Sequence, residues 1–167
     1  MPTLYSFKDY DKYFCLKVSF GLWLVILFLL RPYILIVSSF RMGRGGGGAS
    51  GAGGLKDLVY PDHLSIFLAI LATIPVLVFV YAWTRRKPGA ADFVRKVWQN
   101  GMFILIIAAA LNIVIVFVPL LIGVIHKVHM VGWVQVGLSI LVTVYLLRSQ
   151  RNKDAFDDFP EEVAGKT

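Results

Sequence analysis

Four long stretches of this chain, residues 17–40, 64–84, 102–125 and 130–147, contain no aspartate or glutamate. A helix of roughly 20 residues crosses about 30 Å of hydrocarbon, so each stretch has the length and composition of a membrane span. Backbone inside lipid must satisfy its own hydrogen bonds, which makes each run an α-helix. The runs are apolar on every face rather than alternating, which argues against a transmembrane β-barrel. Apolar residues make up 57% of the chain and charged residues 16%, against about 25% charged in a soluble domain. One soluble core could not hide that excess. The expected fold is all-α: a polytopic membrane protein of four transmembrane helices with short interfacial helices.

Basic residues orient the spans, since lysine and arginine gather on the cytoplasmic side. The N-terminal segment carries Lys8, Lys12 and Lys17, and the second loop carries Arg85, Arg86, Lys87, Arg95 and Lys96. The C-terminal flank adds Arg148, Arg151 and Lys153. Against these eleven stand four: Arg41, Arg44 and Lys56 in the first loop and Lys127 in the third. Both termini and the second loop are therefore expected in the cytoplasm. The net charge of +7 is then explained by topology and anionic lipid headgroups, with no need of a nucleic-acid partner.

The chain divides into a cytoplasmic interfacial segment (1–16), a transmembrane domain (17–147) and an acidic cytoplasmic tail (148–167). No apolar signal region precedes the first run, so the N-terminus is expected to remain in the mature protein. The single cysteine, Cys15, excludes an internal disulfide framework. The charged residues before it make it a poor lipidation site. Phe7, Tyr10 and Phe14 share a helical face and suit an interfacial helix, as do Phe93, Val94, Val97 and Trp98 within the basic loop 85–100. Membrane anchoring is the plain reading of both; a partner-docking face is the sharper one. Residues 43–54 hold eight glycines in twelve positions. They lack the strand-to-helix setting and the Lys-Ser/Thr ending of a phosphate-binding loop. A flexible outer linker spanning about 19 Å fits them better. The tail sets Asp154, Asp157, Asp158, Glu161 and Glu162 around Phe156 and Phe159. That composition suits a solvated, largely disordered end, or alternatively a peptide docking on a partner or on the basic loop.

Arg31 is the most informative residue. Residues 18–30 give only about 20 Å of helix, so the first span is expected to continue through Arg31 and Pro32, leaving the arginine within the outer half of the membrane. A central arginine costs about 2.5–3.5 kcal/mol on insertion scales. No span supplies a carboxylate to neutralise it. Pro32 frees the Phe28 carbonyl one turn earlier. Arg31 is thus either a snorkelling residue at a kink or a specific site for a lipid, a substrate anion or a partner's carboxylate. Pro75 and Pro119 should kink the second and third spans. Asn112 and Gln135 lie within the third and fourth, where amides usually hydrogen-bond across helices; a polar cavity is the alternative. Ala69 and Thr73, and Ser139 and Thr143, are small-residue pairs at helical spacing, which allow close helix contacts.

His63, His126 and His129 fall at one outer interface, with Asp62 and Met130 beside them. Zinc sites bring three or four well-placed ligands, and haem ligands usually sit deeper, so ordinary interfacial histidines are expected and no metal or cofactor is assigned. No Ser-His-Asp, Cys-His or paired-carboxylate arrangement supports hydrolysis.

The runs LLRPYILIVSSF (29–40), LVYPDHLSIFLAI (58–70), IPVLVFVYAWTRR (74–86) and VWQNGMFILI (97–106) resemble the YfeZ-like family of uncharacterised four-span bacterial inner-membrane proteins over about residues 15–150. The resemblance implies a bacterial inner membrane and no established activity. It singles out Arg31, Pro32, Pro61, Asp62, Pro75 and Arg85, with Trp98 as a further candidate. The expected function is non-enzymatic: an accessory, assembly or scaffolding subunit of a larger integral membrane complex, with anionic lipids at the cytoplasmic face. The alternative is a small transporter or channel for an anionic or lipidic solute, using Arg31, Asn112 and the kinked helices. A redox or metal protein built on the three histidines is a third class.

Overall fold

A computed structural model describes residue 10 and residues 15–43, 59–60 and 62–160. The glycine-rich stretch from residue 44, Pro61, most of the N-terminal segment with Phe7 and Phe14, and the acids Glu161 and Glu162 lie outside the described residues. The described residues are helical and hold no strand, only an isolated antiparallel bridge between Tyr10 and Leu16. The helices are α1 (Phe20–Leu29), α2 (Arg31–Gly43), α3 (His63–Thr84), α4 (Asp92–Gln99), α5 (Gly101–Leu121), α6 (Met130–Arg148) and α7 (Gln150–Asp157).

By length and composition α3, α5 and α6 are each able to cross a membrane, and α1 with α2 passes the same test as a pair bent by 58°. Only 28, 28 and 22% of the apolar windows of α3, α5 and α6 are buried inside the protein. The remaining surface displays Phe67, Phe103, Leu141 and Trp133 outward. An apolar exterior of that extent belongs in hydrocarbon rather than water.

The first apolar run is not one continuous helix, and the reason is local. Pro32 has no N–H to donate and its ring crowds the preceding turn, but it is tolerated in the first turn of a helix. The chain therefore stops α1 at Leu29 and restarts, with the Leu30 carbonyl accepting from Tyr33 N (3.1 Å) and Ile34 N (3.2 Å). The Thr73 hydroxyl, bonded to Ala69 O at 2.7 Å, also lies 3.4 Å from the Leu29 carbonyl at the break. Thr73 is near the middle of α3, so the break sits near the middle of the bundle. Asp62 starts α3: its carboxylate accepts from Ser65 N and from Ser65 Oγ, both at 2.7 Å. Pro75 lies inside α3. The third run ends as a helix at Leu121 rather than reaching 125. Pro119 is in the last turn, its carbonyl accepts from Val124 and Ile125, and Gly123 takes a left-handed φ of 80° open to glycine at no steric cost.

Helices α3 and α5 pack together at the centre, with α6 against α5 and α2 against α3. The main core joins Leu22, Ile26 and Leu29 of α1 to Phe79, Leu105, Val142 and Leu146, and extends to Trp98 and Phe156. Those last two residues differ from the sequence expectation. Val94, Val97 and Trp98 of α4 are buried, with only Phe93 of that face exposed, so α4 packs against protein rather than resting on headgroups. The acidic tail, for which a solvated end is the first expectation and docking on the basic loop the alternative, follows the alternative over its described part: it forms α7, with Asn152, Ala155 and Phe156 buried. Trp98 donates from Nε1 to the Ala155 carbonyl at 3.1 Å. Its ring stacks on Phe79 (5.7 Å) and meets Phe156 (5.4 Å). Apolar burial and ring contacts of this kind outweigh the self-repulsion of a few exposed carboxylates.

Candidate functional site around Arg31

Arg31 opens α2 at the helix break, and its guanidinium reaches three other segments. Nη2 donates to Asn112 Oδ1 on α5 and to Gln135 Oε1 on α6, each at 2.9 Å. Nε donates to the Tyr60 hydroxyl at 3.2 Å, just before α3. The Phe28 ring lies beneath it, 4.5 Å from the guanidinium carbon. Asn112, Gln135 and Tyr60 are themselves buried. The amide nitrogens are held in turn: Asn112 Nδ2 donates to Ala108 O (3.3 Å) and Gln135 Nε2 to Val59 O (3.4 Å). Both amides are thereby oriented with their oxygens toward the cation.

Three features decide what this arrangement does chemically. Every acceptor among the described residues is neutral, so those residues solvate the positive charge without cancelling it. Hydrogen bonds to a charged group are worth about 1.5–3 kcal/mol each, enough together to offset the insertion cost of one arginine. And Nη1, with two N–H groups, has no hydrogen-bond acceptor among the described residues. A small cavity of about 40 Å³ adjoins the cluster, lined by Tyr60, Ser65, Val116, His129, Gly132 and Gln135. It has room for about two or three waters.

The structure thus brings Arg31, Asn112 and Gln135 together. Pro32 is buried at the break and Pro119 is buried at the end of α5, and neither supplies a polar group. Asp62 is committed to capping α3, and His63 is exposed beside it. His126 and His129 are exposed as well, and no group of three His, Cys, Asp or Glu side chains gathers among the described residues. Tyr60 escapes sequence reading because it lies outside the apolar runs; its one signal is being an aromatic hydroxyl at a span boundary.

At the opposite end of the bundle Arg86 forms a second polar centre. It donates to Leu16 O (3.3 Å, Nη1) and Asp158 O (2.5 Å, Nη2) while covering the Trp98 ring at 4.4 Å. Asp158 Oδ2 accepts from Leu16 N at 2.7 Å. Ser19, the cap of α1, meets the Tyr145 hydroxyl (3.1 Å) and donates to Asn152 Oδ1 (2.7 Å). These contacts tie the start of α1, the end of α3 and the C-terminal helix together. Burial, and next the Asp158 carboxylate, push the Cys15 thiol above its ordinary value, with Arg86 pulling the other way.

Residues 5–158 match the family described as a protein of unknown function (DUF2919). The chain belongs to that family. The match takes in both polar centres, from Cys15 to Asp158, and ends one residue after α7. No curated protein and no solved structure matches the chain.

Proposed function

We propose that this DUF2919 protein is a non-enzymatic, four-span protein of a bacterial inner membrane, with both termini in the cytoplasm, acting as an accessory or assembly subunit of a larger membrane complex. The bent α1–α2 pair is its first span. The bias of basic residues toward the second loop and the two ends supports the orientation, and the resemblance to YfeZ-like proteins supports the compartment.

The observation that carries the role is Arg31: a positive charge in the bundle interior, held by three neutral acceptors and left with two N–H groups for which no described residue supplies an acceptor. Such a group is prepared for an external anion, and one oxygen of a carboxylate on a partner's transmembrane helix is a fitting acceptor for a charge-assisted hydrogen bond from Nη1. The adjoining cavity of about 40 Å³ is too small for an organic solute, which favours a recognition role over conduction of one. The test is isolation in native nanodiscs at endogenous expression, with wild type beside Arg31→Gln. A stoichiometric integral partner retained by the wild type and lost from the variant supports the reading. A chain that stays alone, or keeps the partner without Arg31, refutes it.

One observation favours a second reading. Discontinuous helices near the bilayer midplane are where transporters place substrate sites, and α1 and α2 break at Arg31. Arg31-dependent flux of an organic anion into reconstituted vesicles would establish that reading instead.

A further inference from the structure

At the Arg86 end an open cavity of about 310 Å³ lies between the entry to α1 and the exit from α3, lined by Lys17, Val18, Trp23, Trp83 and Arg86. Its depth is set by the helices. Lys17 stands three residues before α1 begins and Arg86 two residues after α3 ends, so the two cations flank the point where apolar helix gives way to polar chain on both elements. Trp23 and Trp83 pack edge to face at 4.6 Å and form the wall toward the hydrocarbon. Indole rings favour the headgroup level, where an apolar body and a polar edge are both satisfied. Below them α1 and α3 display Leu24, Leu27 and Leu77 outward, a surface for acyl chains. The Asp158 carboxylate accepts from the Leu16 amide at 2.7 Å, and Asp158 is not among the residues that line the cavity. Arg86 is held from behind by the Leu16 and Asp158 carbonyls and by Trp98, so its position is fixed before any ligand arrives.

We infer that this cavity is a discrete site for the phosphodiester of an anionic phospholipid, held between Lys17 and Arg86 with its glycerol against the two tryptophans. The inference rests on the reading of α1–α2 and α3 as spans and goes beyond the diffuse attraction of a basic surface, because it assigns one lipid to one cavity. The lipid, rather than a free phosphate, is the occupant because the cavity opens at the foot of an apolar helix surface.

The test places the full-length protein in nanodiscs of phosphatidylcholine containing 20–30% phosphatidylglycerol as a chosen composition, and counts lipids retained after release into the mass spectrometer. Wild type is expected to keep one phosphatidylglycerol preferentially. Lys17→Glu should lower that retention about fivefold. Lys87→Glu, the same charge change at an exposed residue outside the cavity, should leave it unchanged. Equal losses in both variants, or no preference in wild type, overturn the discrete site. Displacement of the retained lipid by millimolar inorganic phosphate overturns the lipid as occupant. Failure of the chain to enter nanodiscs overturns the spanning reading, and this inference with it.

Discussion

Replacing Trp98 by alanine should release the C-terminal helix from the bundle. Trp98 is fully buried and reaches α7 in two ways: the Nε1–H bond to the Ala155 carbonyl and the ring contact with Phe156. The whole substitution costs about 3–5 kcal/mol for a core tryptophan. The share that falls on α7 is smaller. It comprises about 1 kcal/mol for the hydrogen bond, about 1 for the aromatic pair, and a fraction of the cavity term. A loss of about 2–3 kcal/mol in docking raises the undocked population about 30- to 150-fold. When opening is fast relative to cleavage, proteolysis follows that population. Lys153 lies inside α7, so trypsin acting on the solubilised protein should produce a fragment starting at Asp154 that many times faster than in wild type. Trp98→Phe keeps a ring against Phe79 and Phe156 but loses the donor, and should raise the rate only about fivefold. An unchanged rate in Trp98→Ala, or equal rates in the two variants, would refute the docking described above.

Pro32→Ala returns an N–H to the first turn of α2 and should reduce the 58° bend. Spin labels at the exposed positions Phe20 and Val37 should move apart, and an unaltered distance would show that packing, not proline, sets the break. Asn112→Leu removes one acceptor from a charged donor and should destabilise by about 1.5–3 kcal/mol. In a double-mutant cycle with Arg31→Leu the two losses should be less than additive by about 1 kcal/mol or more, and additivity would exclude the interaction. Cys15 has a raised pKa, so its thiolate forms only at higher pH than an ordinary thiol, and its alkylation rate should reach midpoint correspondingly late. Asp158→Asn removes a negative neighbour and should move that midpoint downward; an unmoved profile would leave burial as the whole cause.

The polar members of the Arg31 centre were individually legible, because Arg31, Asn112 and Gln135 each interrupt an apolar run where a polar group must find a partner. That they meet was not legible. Three apolar helices have no stripe to fix their rotation, and rotation decides which way an amide points. Tyr60 lies outside the runs and carried no comparable signal. At the other end, Arg86 counted as one more basic residue of the second loop, although its role is to hold two chain ends. The charge of the tail favours a solvated end, and its two phenylalanines are the signal for the alternative, docking on the basic loop. Asn152, Ala155, Phe156 and Phe159 recur at helical spacing, and that stripe is the face that packs, along with the Phe159 ring near Arg95. In a chain this rich in apolar residues, a short amphipathic helix after the last span is hard to tell from a solvated end.

The break between α1 and α2 also bears on how the protein is made. Two of the groups that solvate Arg31 lie far downstream: Asn112 is 81 residues later and Gln135 is 104. At translation speeds of about 5–20 residues per second, the second amide emerges roughly 5–20 s after the arginine. On the four-span reading, α2 spends that interval beside the insertion machinery with its charge attended only by water, headgroups or the translocon itself. On that reading the segment that is synthesised first is the last to be completed, because the partners of its arginine arrive only with α5 and α6.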